Sequence, residues 1–198
     1  MIMGGILLKT FTNRDLFFAI NSRYNDVADS LMYYTTMIGQ GEIIVVVLLG
    51  LMHLPRFRNW WYFVTAVLCN LVPFFIQQWL KVVFNSPRPL NYFHHADWMH
   101  WNSRWPYLTE HSFPSGHTAG AFSFFCFLTL LLPPKSQPWG LLFFILAAAV
   151  GYSRIYLTAH FFADVYAGSV LGTILTTAIF VIMDRYRNQW QNRKPKSA

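Results

Sequence analysis

Three short stretches of this chain concentrate side chains capable of chemistry: Lys81-VVFNSP-Arg88-Pro89, then Phe113-Pro114-Ser115-Gly116-His117, then Ser153-Arg154-IYLTA-His160-FFA-Asp164. Gathered together, Lys81, Arg88 and Arg154 place three cations in one pocket. Such a pocket is costly near a membrane unless an anion regularly fills it. The planar fork of arginine grips phosphate oxygens in pairs, and lysine adds a point charge. Lys81 and Arg88 are seven residues apart, so a continuous helix sets them on one face, two turns from each other. Ser115 and the Gly116 N–H, opening a helix, suit phosphate oxygens at the positive end of the helix dipole.

The histidines supply a reaction. His160 and Asp164 stand at i, i+4, so on one helical face the carboxylate holds one ring nitrogen. That fixes the tautomer and leaves the other nitrogen free to attack phosphorus. His117, beside the cradle, is placed to protonate the departing oxygen. The three cations stabilise the charge that spreads over the equatorial oxygens, so this chemistry calls for no metal and no cofactor.

Composition indicates where such a pocket lies. Of 198 residues, 55% are hydrophobic, 19% aromatic and only 12% charged, against about 25% charged in an ordinary soluble domain. So few charges cannot cover the surface of a small soluble fold, and so many aromatics exclude disorder. The composition predicts an all-α, polytopic membrane helical bundle. A spanning helix needs about 20 apolar residues. Five stretches answer: Leu31 to Leu54 (interrupted by Glu42), Trp60 to Leu80, Gly116 to Leu132, Pro138 to Ser153 and Asp164 to Met183. A sixth span follows only if the N-terminus inserts. Residues 11 to 27 mix charges with aromatics and read as a helix lying in the interface. The chain divides into an interfacial segment at 1–30, a transmembrane core at 31–184 and a basic tail at 185–198, together one domain.

The formal net charge is +7, but the basic residues fall between apolar runs and in the tail RYRNQWQNRKPKSA, which suits membrane flanks and anionic lipid rather than nucleic acid. Arginine and lysine asymmetry puts Arg56, Arg58, Lys135 and the tail on the cytoplasmic side, so the 85–115 loop faces outward. Cys69 and Cys126 lie inside apolar runs and argue against a disulfide or zinc framework. The N-terminal MIMGGILLKTFTNRD lacks the basic start of a cleaved signal peptide.

Three clusters in this order, each at the end of an apolar span, resemble the type 2 phosphatidic acid phosphatase family. That family stands within the superfamily of vanadium haloperoxidases and bacterial class A acid phosphatases. Its pattern is K-x6-R-P, then P-S-G-H, then S-R-x5-H-x3-D, and the chain satisfies each part without departure. The resemblance extends over residues 31 to 184 with the flanking spans. It implies that His160 is the nucleophile of a phosphohistidine, that Asp164 orients it and that His117 is the acid. It further implies that Lys81, Arg88, Ser115, Gly116 and Arg154 bind phosphate, without a metal.

The expected activity is that of an integral-membrane lipid phosphatase, in a bacterial inner membrane with its site at the outer leaflet. The leading substrates are undecaprenyl diphosphate, phosphatidylglycerol phosphate and phosphatidate. Lipid A phosphate groups come next, and transfer between lipids is open to the same intermediate. The rival of another class is a phosphorylated-lipid binding or transport protein, which has no need of His117 or the His160–Asp164 pair.

Plainer readings stand beside these. Lys81 and Arg88 taken alone are snorkelling flanks, Ser115 alone a helix cap, and Arg154 with Asp164 a structural ion pair. Glu42, interrupting an apolar span beside Gly39 and Gly41, suggests a hydrogen bond inside the bundle or a contact with the pocket. Phe122, Phe124, Phe125 and Phe127 read as packing or lipid-facing surface. The 85–115 loop carries Tyr92, Phe93, Trp98, Trp101, Trp105 and Tyr107, either an interfacial belt or a vestibule around a lipid headgroup. Its His94, His95 and His100 match no metal spacing.

Overall fold

A computed structural model of the chain describes residues 2–94 and 96–193. His95, Lys194 and Lys196 lie outside these residues, so the tail is described only in part. Every regular element described is helical. Two short helices come first, α1 (Ile2–Thr10) and α2 (Asn13–Asn21), the second opened by a Thr12/Asp15 capping box. Then follow α3 (Asp26–Met37), capped by Asn25, and α4 (Gly41–Leu51). Next come the long α5 (Trp60–Phe84) and the single turn α6 (Pro89–Tyr92). The last three are α7 (Gly116–Leu131), α8 (Trp139–Tyr156) and α9 (Phe162–Arg193).

Each expected span has a helical counterpart. By length and composition, three described helices, Trp60–Tyr92, Trp139–Tyr156 and Phe162–Arg187, qualify to cross a membrane, and the pair α3–α4 qualifies when its two bent helices are taken as one span. The apolar α7 is shorter, at 16 residues. The stretch from Leu31 to Leu54 is not one straight helix, because α3 and α4 meet at a 55° bend. The cause is tertiary. A Cβ on Gly39 would lie 2.5 Å from Val150 Cγ1 and 2.9 Å from the His117 carbonyl oxygen. The chain breaks where its backbone runs against α8 and the start of α7, and only glycine permits that approach. Glu42 consequently falls in the exposed first turn of α4 rather than inside the bundle. A carboxylate there complements the helix dipole.

The core lies between α4, α7 and α8, where Ile44, Ala121, Phe122, Phe124, Phe125, Ala147 and Val150 form one buried cluster. The phenylalanine stripe of α7 is therefore interior packing, Phe127 included. Helix α2 buries Phe17 and Asn21. Phe17 meets Phe161 at 5.9 Å between ring centroids, close to the start of α9.

The tightest helix pair is α7 with α9. Gly168 and Gly172, four apart on α9, face the backbone of α7: added Cβ atoms would lie 2.7 Å from the Ser115 oxygen and 2.5 Å from the Ala119 oxygen. Small residues at this spacing let two membrane helices touch backbone to backbone. The contact matters because α7 carries Ser115, Gly116 and His117 while α9 carries Asp164. We expect Gly172→Leu to lower stability in detergent by about 3 kcal/mol, read as a fall in thermal unfolding midpoint. Gly50→Ala, where an added Cβ meets nothing within 4 Å, should not lower it. A Gly172→Leu midpoint equal to that of wild type would refute the close contact.

Candidate active site

Helix α5 stops at Phe84, and Asn85 adopts a left-handed conformation (φ 37°) with its N–H on the Lys81 carbonyl. Ser86-Pro87 follows, and a residue before proline is pushed out of the helical region. Lys81 and Arg88 therefore do not share one continuous helical face, which corrects the sequence expectation. Arg88 instead caps α6, with Pro89 in the first helical position. Two backbone bonds hold it there: Arg88 N–H to the Thr109 carbonyl at 2.7 Å and Ser112 N–H to the Ser86 carbonyl at 2.9 Å.

From that position the Arg88 guanidinium enters the protein and is buried. Its Nε donates to the Glu110 carbonyl at 2.7 Å, one terminal nitrogen to the Ala159 carbonyl at 2.9 Å, and the other to the His111 carbonyl at 3.4 Å. The nitrogen on Ala159 also lies 3.3 Å from His160 Nε2. A guanidinium only donates, so His160 Nε2 accepts and carries the lone pair.

His160 precedes α9 instead of sharing its face with Asp164, a second correction to the helical-face expectation. The two still meet, with Nδ1 at 3.5 Å from Asp164 Oδ2. The same carboxylate oxygen accepts from the Phe161 N–H at 2.9 Å, as a group at a helix N-terminus does. Ser112 Oγ lies between them, 3.5 Å from His160 Nδ1 and 2.5 Å from Asp164 Oδ2. Since Ser112 donates to the carboxylate, it receives the Nδ1–H of the ring. The tautomer is thus fixed from one side by Ser112 and Asp164 and from the other by Arg88. Burial first, then the charges of Arg88, Arg154 and Lys81, hold the His160 imidazole well below its usual 6.5, so the ring is neutral.

Arg154, at the end of α8, is 1% exposed. It makes no ion pair with Asp164 among the described residues. One terminal nitrogen donates to Thr36 Oγ1 at 2.8 Å, and the guanidinium carbon sits 4.1 Å from the Trp105 ring centroid. Ser115 is the N-cap of α7: its Oγ accepts from the Thr118 N–H at 3.4 Å and pairs with Thr118 Oγ1 at 2.8 Å. The Ser115 N–H donates to the Asp164 carbonyl at 3.0 Å, which docks the start of α7 on the start of α9. A Cβ on Gly116 would come within 3.1 Å of the buried Gln77 amide, so glycine lets α5 and α7 close there. His117 follows, its ring 5.6 Å from that of Trp105, with Nε2 buried and free of any protein partner.

All eight residues singled out in the sequence thus lie at one end of α5, α7, α8 and α9. Four others belong to the arrangement and had weak signals or none. Ser112 stands just ahead of the second motif. Gln77 is a polar amide inside an uncharged, mainly apolar span, one turn before Lys81, and such a group is expensive to bury without purpose. Trp105 was one aromatic among six, and Thr36 carried no signal at all. His100 of the 85–115 loop goes elsewhere: its Nε2 pairs with Asp29 Oδ1 at 2.7 Å and its ring stacks on Tyr24. No group of three or more metal-ligating side chains gathers among the described residues.

Residues 58–188 match the PAP2 superfamily. The chain is 30% identical over 167 residues to an undecaprenyl-diphosphatase of Sulfolobus acidocaldarius, a match covering 81% of this chain and 73% of that protein. It is 28% identical over 181 residues to undecaprenyl-diphosphatase BcrC of Bacillus subtilis, covering 88% and 86% of the two. The fold superposes on the crystal structure of Aquifex aeolicus LpxE with a TM-score of 0.71 at 27% identity, covering 86% of this chain and 96% of the other. The chain belongs to the PAP2 superfamily. It is an integral-membrane lipid phosphatase.

Proposed function

We propose that this phosphatase removes the terminal phosphate of a polyprenyl diphosphate, undecaprenyl diphosphate in the first instance, through a phosphohistidine on His160. The observation that carries the reading is the His160 ring itself: neutral, with Nδ1–H held toward Ser112 and Asp164, and with the Nε2 lone pair facing a guanidinium. Nε2 attacks the terminal phosphorus, the bond to the bridging oxygen breaks, and His117 gives that oxygen its proton. Water then attacks the phosphohistidine, His117 takes back a proton, and inorganic phosphate leaves. Lys81, Arg88, Arg154, the Ser115 hydroxyl and the Gly116 N–H bind the phosphoryl oxygens and meet the charge that builds on them. Asp164 orients the nucleophile and stabilises the imidazolium character that forms.

The diphosphate is favoured by the names of the two relatives, both undecaprenyl-diphosphatases. Basic residues at the opposite end of the bundle support a site facing outward from a bacterial inner membrane. The core at 31–184 forms one domain with the preceding helices, and three cations take the place a divalent metal has in other phosphoryl-transfer sites.

The test is phosphate release from undecaprenyl diphosphate by detergent-purified protein in EDTA, with phosphatidylglycerol phosphate and phosphatidate alongside. We expect release undiminished by the chelator and fastest from the diphosphate. Activity lost in EDTA and restored by a divalent ion would sink the metal-free mechanism. Faster release from either monoester would move the substrate assignment to that lipid.

A further inference from the structure

Trp105 sits where the phosphate chemistry is expected, although no motif includes it. It is 7% exposed, and its setting is built rather than incidental. Its backbone N–H donates to the Asn102 carbonyl at 2.9 Å, and Asn102 is itself buried with its side-chain amide on the Asp29 carbonyl at 3.3 Å. Next to it, Arg104 reaches Ser30 Oγ at 3.1 Å. The turn that presents Trp105 is thereby fastened to α3 at two points.

Three buried nitrogens, on side chains that meet at the Trp105 ring, lack any protein partner: Trp105 Nε1, Arg154 Nε and His117 Nε2. The Arg154 guanidinium lies 4.1 Å over the indole, and the His117 ring meets the indole edge-on at 5.6 Å and 78°. Buried polar groups are nearly always paired, and a buried tryptophan ordinarily finds an acceptor for its N–H. An indole N–H only donates, and so does a guanidinium. Donors clustered around a cation are satisfied together by an oxyanion, and the proposed substrate brings one to this spot.

We propose that Trp105 is a residue of the phosphate site in two respects: its face is the shelf that holds the Arg154 guanidinium, and its Nε1–H donates to a phosphoryl oxygen. The proposal rests on the phosphate-site reading above. Thr36 fixes one corner of the guanidinium and the indole fixes its plane, which leaves Nε directed at the ligand. A cation–π contact of this kind strengthens when water is excluded.

Orthovanadate binding, measured by titration calorimetry on the detergent-purified full chain, separates the two roles without depending on any lipid. Trp105→Phe keeps an aromatic shelf and removes the donor, so the dissociation constant should rise about tenfold. Trp105→Leu removes both and should bind about tenfold more weakly again. Trp105→Phe is the variant that decides, because its folding is not in jeopardy; its unfolding midpoint should match that of wild type. Binding by Trp105→Phe equal to wild type overturns the donor role, and equal binding by the two variants overturns the shelf. Wild-type protein that binds no orthovanadate overturns the phosphate-site reading itself, a result distinguishable from either.

Discussion

Replacing His160 with alanine is expected to abolish turnover, by about 10⁴-fold or more on the scale of lost nucleophiles, while the protein stays folded and still binds an oxyanion. The phosphoryl group would have no nitrogen to occupy, yet Arg154, Lys81 and the start of α7 would remain to hold it. Rapid quenching of wild-type protein during turnover should trap a phosphoryl group that survives alkali and is lost in acid, and His160→Ala should trap none. A residual rate within tenfold of wild type would end the covalent mechanism. A second readout tests the environment of the ring. The folded-state value for His160 is depressed below 6.5 by burial and the three surrounding cations. Protonation, which destroys the nucleophile, therefore begins only at lower pH, and kcat/KM should hold level as pH falls through 6.5. A kcat/KM that halves at 6.5 would put the essential proton on a histidine in ordinary surroundings.

The second large effect is at His117, and it should depend on what leaves. If His117 protonates the departing oxygen, His117→Ala costs about 10³-fold with phosphatidate, whose alkoxide leaves poorly. The loss should be smaller with a lipid diphosphate, whose leaving group is already a phosphate. With p-nitrophenyl phosphate, whose phenolate needs no proton, it should shrink to within about tenfold. Measuring kcat/KM for the variant across these three leaving groups gives the slope directly. An equal loss with all three would show that His117 binds or supports the site without acting as the acid.

Both predictions rest on residues that stood out in the sequence, and the reason is physical. Charged and titratable groups at the ends of uncharged spans are costly, so their clustering signals a shared purpose before any geometry is known. Helices were legible for a related reason, since only long apolar runs can cross a bilayer. The bend at Gly39 was not, because the apolar pattern from Leu31 to Leu54 runs straight through it and the break comes from contact with Val150 and the His117 carbonyl. Nor was the end of α5 at Phe84, where the seven-residue spacing of Lys81 and Arg88 suggested a face that the left-handed Asn85 removes. Asp164 reached His160 all the same, by capping α9 instead of lying a turn along it. Thr36 was silent because it touches Arg154 from a segment distant in sequence, and such pairings leave no local periodicity. Trp105 was lost among six loop aromatics, and Ser112 adjoins a motif whose pattern does not include it.

The clasp of residues 21 to 36 on the site gives the PAP2 superfamily match an unexpected status. The match begins at residue 58, and every motif lies inside it. Yet Thr36 holds Arg154, Asp29 receives both His100 and the Tyr156 hydroxyl, and Asn21 bridges the Tyr156 carbonyl to the His100 backbone. The stretch 58–188 alone is an incomplete machine: it owns the reactive groups but borrows their alignment from the helices before it. A portable minimal unit of this phosphatase therefore begins well before the stretch by which the superfamily is recognised.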